Sequence, residues 1–195
     1  MTAVIRRLGI LLVLVLTLGA CAGGEGTSVS IGDRSLSRQD LTDLVVAVNG
    51  GVPLGSDQPT TLSAENYRGI ATIFIRNAAT THYFASKGVS MTDEERGLLQ
   101  EQTSDRVGVE GGLGFLAFES PAFNAIVDNA WVSNQPVETF FDDGPPAGLD
   151  EQLFSLRLVE IVSDSGLAVD VESRVGLWDA ELGEVTPANP VSLNG

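Results

Sequence analysis

Val29-Ser30-Ile31-Gly32-Asp33-Arg34-Ser35-Leu36-Ser37 is the stretch on which the fold of this chain turns. Apolar and polar side chains alternate over Val29-Ser30-Ile31, Gly32-Asp33 can turn, and Arg34-Ser35-Leu36 runs on, which predicts a small β-hairpin. Ser37 is then placed as a helix N-cap, because its hydroxyl can accept from a backbone N–H that the first helical turn leaves unpaired. Leu41, Leu44, Val45 and Val48 follow at i, i+3, i+4 and i+7, the stripe of an amphipathic helix. Gly50-Gly51 ends that helix, and a loop bearing Pro and Gly runs to about Leu62.

Downstream, Ser63 caps the longest helical segment, expected over 64–87. Tyr67, Ile70, Ala71, Phe74 and Ala78 line one face of it; Ile73 and Ile75 lie off that stripe, which predicts burial on more than one side. Gly88 stops it. Thr92-Asp93-Glu94-Glu95 is a capping box, in which Thr92 and Glu95 each serve the other's backbone N–H, and it opens a shorter helix to about Arg106. Ser120-Pro121 opens another, Pro being favoured where a helix has no use for the N–H, and this one carries Phe123, Ile126, Val127 and Ala130. After the break Asp142-Asp143-Gly144-Pro145-Pro146, residues 150–163 read as an apolar helix or, in competition, a strand. Leu167-Ala168-Val169-Asp170-Val171 alternates like a strand and leads to Arg174, Gly176, Trp178 and Asp179. The expected fold is mostly α, with short strands contributed by both ends of the chain.

Upstream lies a leader. Arg6 and Arg7 precede an apolar run from Leu8 to Leu18, and Leu18-Gly19-Ala20-Cys21 follows. A basic start, a short apolar core and small residues before a cut site are the grammar of a secretory signal. About eleven apolar residues are too few to span a bilayer, which takes roughly twenty as a helix. The Leu-Gly-Ala-Cys box resembles the bacterial lipobox, in which the Cys becomes the first residue after cleavage and carries lipid. Cys21 is the only cysteine in the chain, so it has no intramolecular disulfide to enter. The expectation is a signal peptide over 1–20, lipidation at Cys21, a flexible tether over 21–28 and one domain over 29–195, held outside the cytoplasm on the cell membrane. Stable anchoring takes more than one acyl chain, as a lipoprotein has. Cleavage would leave 175 of the 195 residues, with nine basic side chains against 26 acidic ones, a formal charge of −17. That balance argues against nucleic acid and anionic headgroups as partners and favours solubility or a basic or unstructured polypeptide partner.

Two stretches carry a family likeness. Val29–Ser37 with its following helix, and Gly88-Val89-Ser90-Met91-Thr92-Asp93-Glu94-Glu95, resemble the SurA-type N-terminal domain, where a strand–turn–strand precedes a helix and a Gly-Val start opens a later one. Val169-Asp170-Val171-Glu172-Ser173-Arg174-Val175-Gly176-Leu177-Trp178-Asp179 is similar to the closing segment of actinobacterial SurA-like lipoproteins, with Ser173 in place of the usual Pro and Val175 in place of an aromatic. The resemblance implies a periplasmic or cell-surface chaperone whose two terminal segments fold together into one helical domain that holds unfolded or exported polypeptide. In many members a parvulin peptidyl-prolyl isomerase domain is inserted between those segments.

The chemistry for such an isomerase is incomplete. Gly111-Gly112-Leu113-Gly114-Phe115, Pro121-Ala122-Phe123 and Pro136–Phe141 echo the later half of a parvulin domain, and 107–148 is read as its eroded remnant or as a loop-rich insert. The parvulin site resembles a cluster of two histidines, a Cys or Asp and hydroxyls; this chain has one histidine, His82, and its single cysteine is assigned to lipid. His82 alone makes neither a zinc site nor a Ser-His-Asp triad. Asp142-Asp143-Gly144 and Asp93-Glu94-Glu95 lack the alternate-position spacing of a calcium loop. The glycines at 108–114 are followed by no Lys-Ser/Thr, so no nucleotide loop is read there. Trp131 and Trp178 are taken as core or edge anchors. No catalytic residue, metal or cofactor is expected. The function expected is non-catalytic binding of polypeptide by an apolar surface between helices. Residual isomerase activity, or an envelope adaptor with one dedicated partner, stands as the alternative.

Overall fold

The computed structural model describes residues 26–49, 63–109, 116 and 119–188. Strand β1 (Thr27–Ile31) turns into β2 (Arg34–Ser37), with Val29 opposite Leu36 and Ile31 opposite Arg34. Of the two turn residues only Gly32 has a positive φ, +58°, the arrangement of a type II′ hairpin with Gly first. Helix α1 (Arg38–Asn49) starts from a reciprocal cap. The Asp40 N–H donates to Ser37 Oγ at 3.1 Å, while Asp40 Oδ2 accepts from the Ser37 N–H and hydroxyl at 3.0 and 2.7 Å.

Helix α2 (Ala64–Ser86) is the spine of the molecule, in contact with α1, β1 and three elements still to come. Ser63 and Asn66 close its N-terminus as a capping box. At its C-terminus Gly88 takes φ +75°, its N–H donates to Ala85 O, and the Val89 N–H reaches back to Phe84 O. That pair of bonds is a Schellman ending, which needs a residue at ease with positive φ. Helix α3 (Asp93–Val109) opens on the expected Thr92–Glu95 box and runs three residues past Arg106. Helix α4 (Pro121–Ser133) has Ser120 as its cap, and a 3₁₀ turn (Val137–Phe140) follows. Residues 150–163, left open between helix and strand, form helix α5 (Glu151–Asp164), capped by the Asp150 carboxylate on the Leu153 N–H.

The chain then returns to its start. Strand β3 (Val169–Val171) pairs antiparallel with β1, Val29 facing Val171, and completes a sheet in the order β2-β1-β3. A second hairpin, β4 (Leu177–Asp179) with β5 (Glu184–Thr186), lies along α2, where the Val185 N–H donates to Thr72 Oγ1 at 2.9 Å. Gly176 is pressed under that hairpin: a β-carbon there would stand 2.3 Å from the Thr186 carbonyl oxygen. The fold is thus mostly α, with short strands from both ends of the described chain.

One core joins these layers. Val29, Ile31 and Leu36 from the hairpin meet Leu41, Leu44 and Val45 from α1, with Ile75, Ala79 and Phe84 from α2. Phe123, Val127 and Trp131 from α4, and Phe140 from the 3₁₀ turn, belong to the same core, so part of the segment 107–148 is built into the domain interior. Phe84 packs edge-on against Trp131 and Phe140, and Phe140 edge-on against Phe154, with centroids 4.9–5.8 Å apart. Two expected core positions are corrected. Val48, in the last turn of α1, is exposed, and Ile73 is 46% exposed; Ile75, also off the stripe, is fully buried.

Candidate functional site

The exposure of Ile73 marks a furrow. Helices α4 and α5 both lean on α2, and between them lies a space of about 410 Å³. Ile73 and Asn77 come from α2, Val132 from α4, Phe154 and Leu158 from α5, and Val137 and Phe140 from the 3₁₀ turn. Phe84 lies behind this surface, edge-on to Phe140, which is in turn edge-on to Phe154, and these contacts link α2 to α5.

The polar groups of the furrow are mostly amides. Asn77 Nδ2 donates to Asn129 Oδ1 at 2.8 Å, and Gln135 Nε2 donates to Trp131 O at 3.3 Å. Ser133 completes them. The one charged lining residue among the described residues is Arg76, whose Nε is occupied with the Gly183 carbonyl at 2.9 Å. Among the described residues no carboxylate and no histidine lines the space. Apolar walls with amide groups can take up side chains of many shapes and hydrogen-bond a peptide backbone, but they offer no acid–base pair or nucleophile with a base.

Behind the 3₁₀ turn a polar network ties α5 to α2. Arg157 donates from Nε to Phe140 O at 2.7 Å, from Nη2 to Tyr83 Oη at 2.9 Å and from Nη1 to Glu160 at 3.1 Å. Lys87 pairs with Asp142 and stands 4.2 Å from the centre of the Tyr83 ring. Burial opposes the charge on Lys87, but bonds to Asp142 and Tyr83 together outweigh it and hold its pKa above the usual value. The Lys87 ammonium in turn holds the Asp142 carboxyl below its usual range.

A second tie lies at the other end of the domain, where Glu172 accepts from Arg38 at 2.7 Å and from the Ser28 hydroxyl at 3.0 Å. The Arg38 guanidinium, aided by Ser28, holds Glu172 below its ordinary pKa. A third is Asp128, buried on α4, which accepts from Arg34 of the hairpin at 2.8 Å. These are structural ties between elements.

Of the residues singled out from sequence, Cys21 lies outside the described residues, as does Gly111–Phe115. His82 is exposed on α2. Trp131 is buried and Trp178 packs against the core. Asp142-Asp143-Gly144 forms a turn with Gly144 at φ +80°. Among the described residues no group of three or more His, Cys, Asp or Glu is placed to hold a metal ion, and no helix is long and apolar enough to cross a membrane. The furrow residues escaped the sequence reading: Ile73 off its helical stripe was the one available signal, and Asn77, Asn129 and Gln135 gave none. No family model matches the chain, and neither a curated protein nor a solved structure matches it.

Proposed function

We propose that this chain is an extracytoplasmic lipoprotein, anchored to the cell membrane through Cys21, that binds unfolded or exported polypeptide without catalysis, as a SurA-type N-terminal domain lacking a complete parvulin domain. The observation that carries the binding role is the furrow between α4 and α5, apolar in its walls and amide-bearing at its polar positions. A client side chain of Leu or Phe size gains about 1.5–3 kcal/mol when fully buried, whatever its neighbours in sequence. Amides that both donate and accept match any peptide group, so the surface favours extended chain over one particular motif. The pairing of β1 with β3 fits a domain built from both terminal segments.

The test uses the full chain in neutral phosphatidylcholine nanodiscs and a chemically unfolded client whose aggregation is followed by light scattering. The wild-type protein is expected to slow aggregation, and Ile73→Asp to lose most of that effect while keeping its unfolding midpoint, since Ile73 is half exposed already. Equal protection by Ile73→Asp counts against the furrow, and absence of protection by the wild type counts against the chaperone reading. Cross-linking in cells that returns one dominant partner would replace it with a dedicated adaptor. Independently, Cys21→Ala is expected to abolish the acyl mass on the protein and move it out of the membrane fraction.

A further inference from the structure

On the other side of α5 lies a second cleft, of about 430 Å³, with different chemistry. Leu153 and Leu156 stand one turn apart on α5, 41% and 52% exposed, beside Phe141 and Pro146. Asp142, Asp143 and Glu160 surround this apolar strip. The cation of the cleft, Arg157, is turned inward: its side chain is 15% exposed, against 66% for Asp142 and 64% for Glu160. Lys87 likewise lies in against Tyr83. Lys87 and Arg157 pair from the inner side with Asp142, and Arg157 with Glu160, yet both carboxylates remain about two-thirds exposed and present oxygen to the solvent.

We infer that this cleft docks a basic, apolar segment of the client, with Leu, Ile or Phe side chains on Leu153, Leu156 and Phe141, and Lys or Arg against Asp143 and Glu160. The inference rests on the polypeptide-binding reading and adds a preference that the uncharged amides of the furrow do not provide. Charge complementarity selects the occupant. A second copy of this chain would bring the same 26 acidic residues against 11 basic ones to the contact, and nucleic acid carries the same sign. A basic segment is drawn in by the acidic surface as a whole and then held locally, where exposed ion pairs are individually weak and the apolar contacts supply affinity.

Fluorescence anisotropy on the full chain in phosphatidylcholine nanodiscs tests this, with a labelled short peptide alternating Lys and Leu and a counterpart carrying Glu for Lys. The basic peptide is expected to bind at least about tenfold more tightly than the acidic one at low salt, and to weaken as salt shortens the screening length. Asp143→Asn with Glu160→Gln is expected to weaken it roughly three- to tenfold, each lost exposed pair being worth a small factor. Leu156→Ser is expected to weaken it similarly. Asp93→Asn with Glu94→Gln, the same change of net charge at the exposed start of α3, is the control. Equal affinity for the two peptides overturns the inference. So does equal weakening by the control pair, or a dimer in sedimentation that Leu156→Ser dissolves. Ile73→Asp is expected to leave basic-peptide binding intact, so client protection that survives Ile73→Asp while the cleft variants still weaken basic-peptide binding removes the furrow reading alone. Client protection without any effect of the cleft variants removes the cleft alone.

Discussion

Glu172 shows what one side chain can hold together. Its carboxylate accepts from Ser28 on β1 and Arg38 at the start of α1, while its backbone N–H donates to Ser28 O at 2.8 Å. The first strand and the first helix are thus tied to a residue 134–144 positions further along the chain, and the charged form is the one that Arg38 favours. The sign follows: a carboxyl whose folded-state pKa lies below its usual 4.5 stabilises the fold fully above that pH, and loses the contribution as pH falls through the lower, folded value. Glu172→Gln is therefore expected to lower stability at pH 7 by less than about 1 kcal/mol, because the Arg38 pair is half exposed and screened. It should also flatten the fall in stability below pH 4.5. Urea unfolding at several pH values reads both, and acid limbs that run parallel in wild type and variant would show that Glu172 does not titrate with folding.

Among the elements, the helices were the legible part, and their ends more so than their faces. Caps are local chemistry: Ser37 with Asp40, Ser63 with Asn66, Thr92 with Glu95 and Ser120 with Phe123 each act within four residues, so the sequence alone carries them. Faces depend on neighbours. Leu41, Leu44 and Val45 are covered while Val48, on the same stripe, is not, and nothing in the local spacing tells them apart. Residues 150–163 were ambiguous because Leu153 and Leu156 face a cleft while Phe154, Leu158 and Ile161 face α2, so apolar side chains crowd both readings. The same separation of local from tertiary effects makes a prediction. Gly69 in α2 and Gly97 in α3 are exposed, helical and free of any atom that an added β-carbon would meet within 4 Å. Gly69→Ala and Gly97→Ala are each expected to stabilise by about 0.5–1 kcal/mol, by reducing the freedom of the unfolded chain and raising helix propensity. Scanning calorimetry should give a higher midpoint for each and, since the sites are on different helices, a nearly additive rise for the pair. A drop at Gly69 alone would mean that α2 needs its freedom there.

At the scale of the molecule, the ends of the described chain close the domain. Val29 pairs with Val171 across the sheet, Gly32 N–H donates to Ala168 O, and the β4–β5 hairpin covers the α2 face at Thr72. The furrow depends on that closure, because Arg76, beside Ile73, is held by the carbonyl of Gly183 in the turn between β4 and β5. Strand pairing of this kind was legible only as a tendency. Alternation marked 167–171 as a strand, but its partner lies about 140 residues away in sequence, and such distant pairs are the slowest to form and the hardest to see locally. Net charge is silent on position in a related way: the acidic excess is a property of the whole chain, whereas the two clefts beside α5 differ sharply in charge. Ending the chain at Gly166 would remove β3, β4 and β5, leaving Val29 and Ile31 on an open edge and the Thr72 side of α2 uncovered. Such a chain is expected to keep much of its helical circular dichroism yet lose its sharp urea transition, with the emission of Trp131 shifting to the red as the core loosens. Its Ile73 surface should then no longer protect an unfolded client. A truncated chain that unfolds as sharply as the full one, at the same midpoint, would show instead that the helices form a core of their own and that the returning strands merely decorate it.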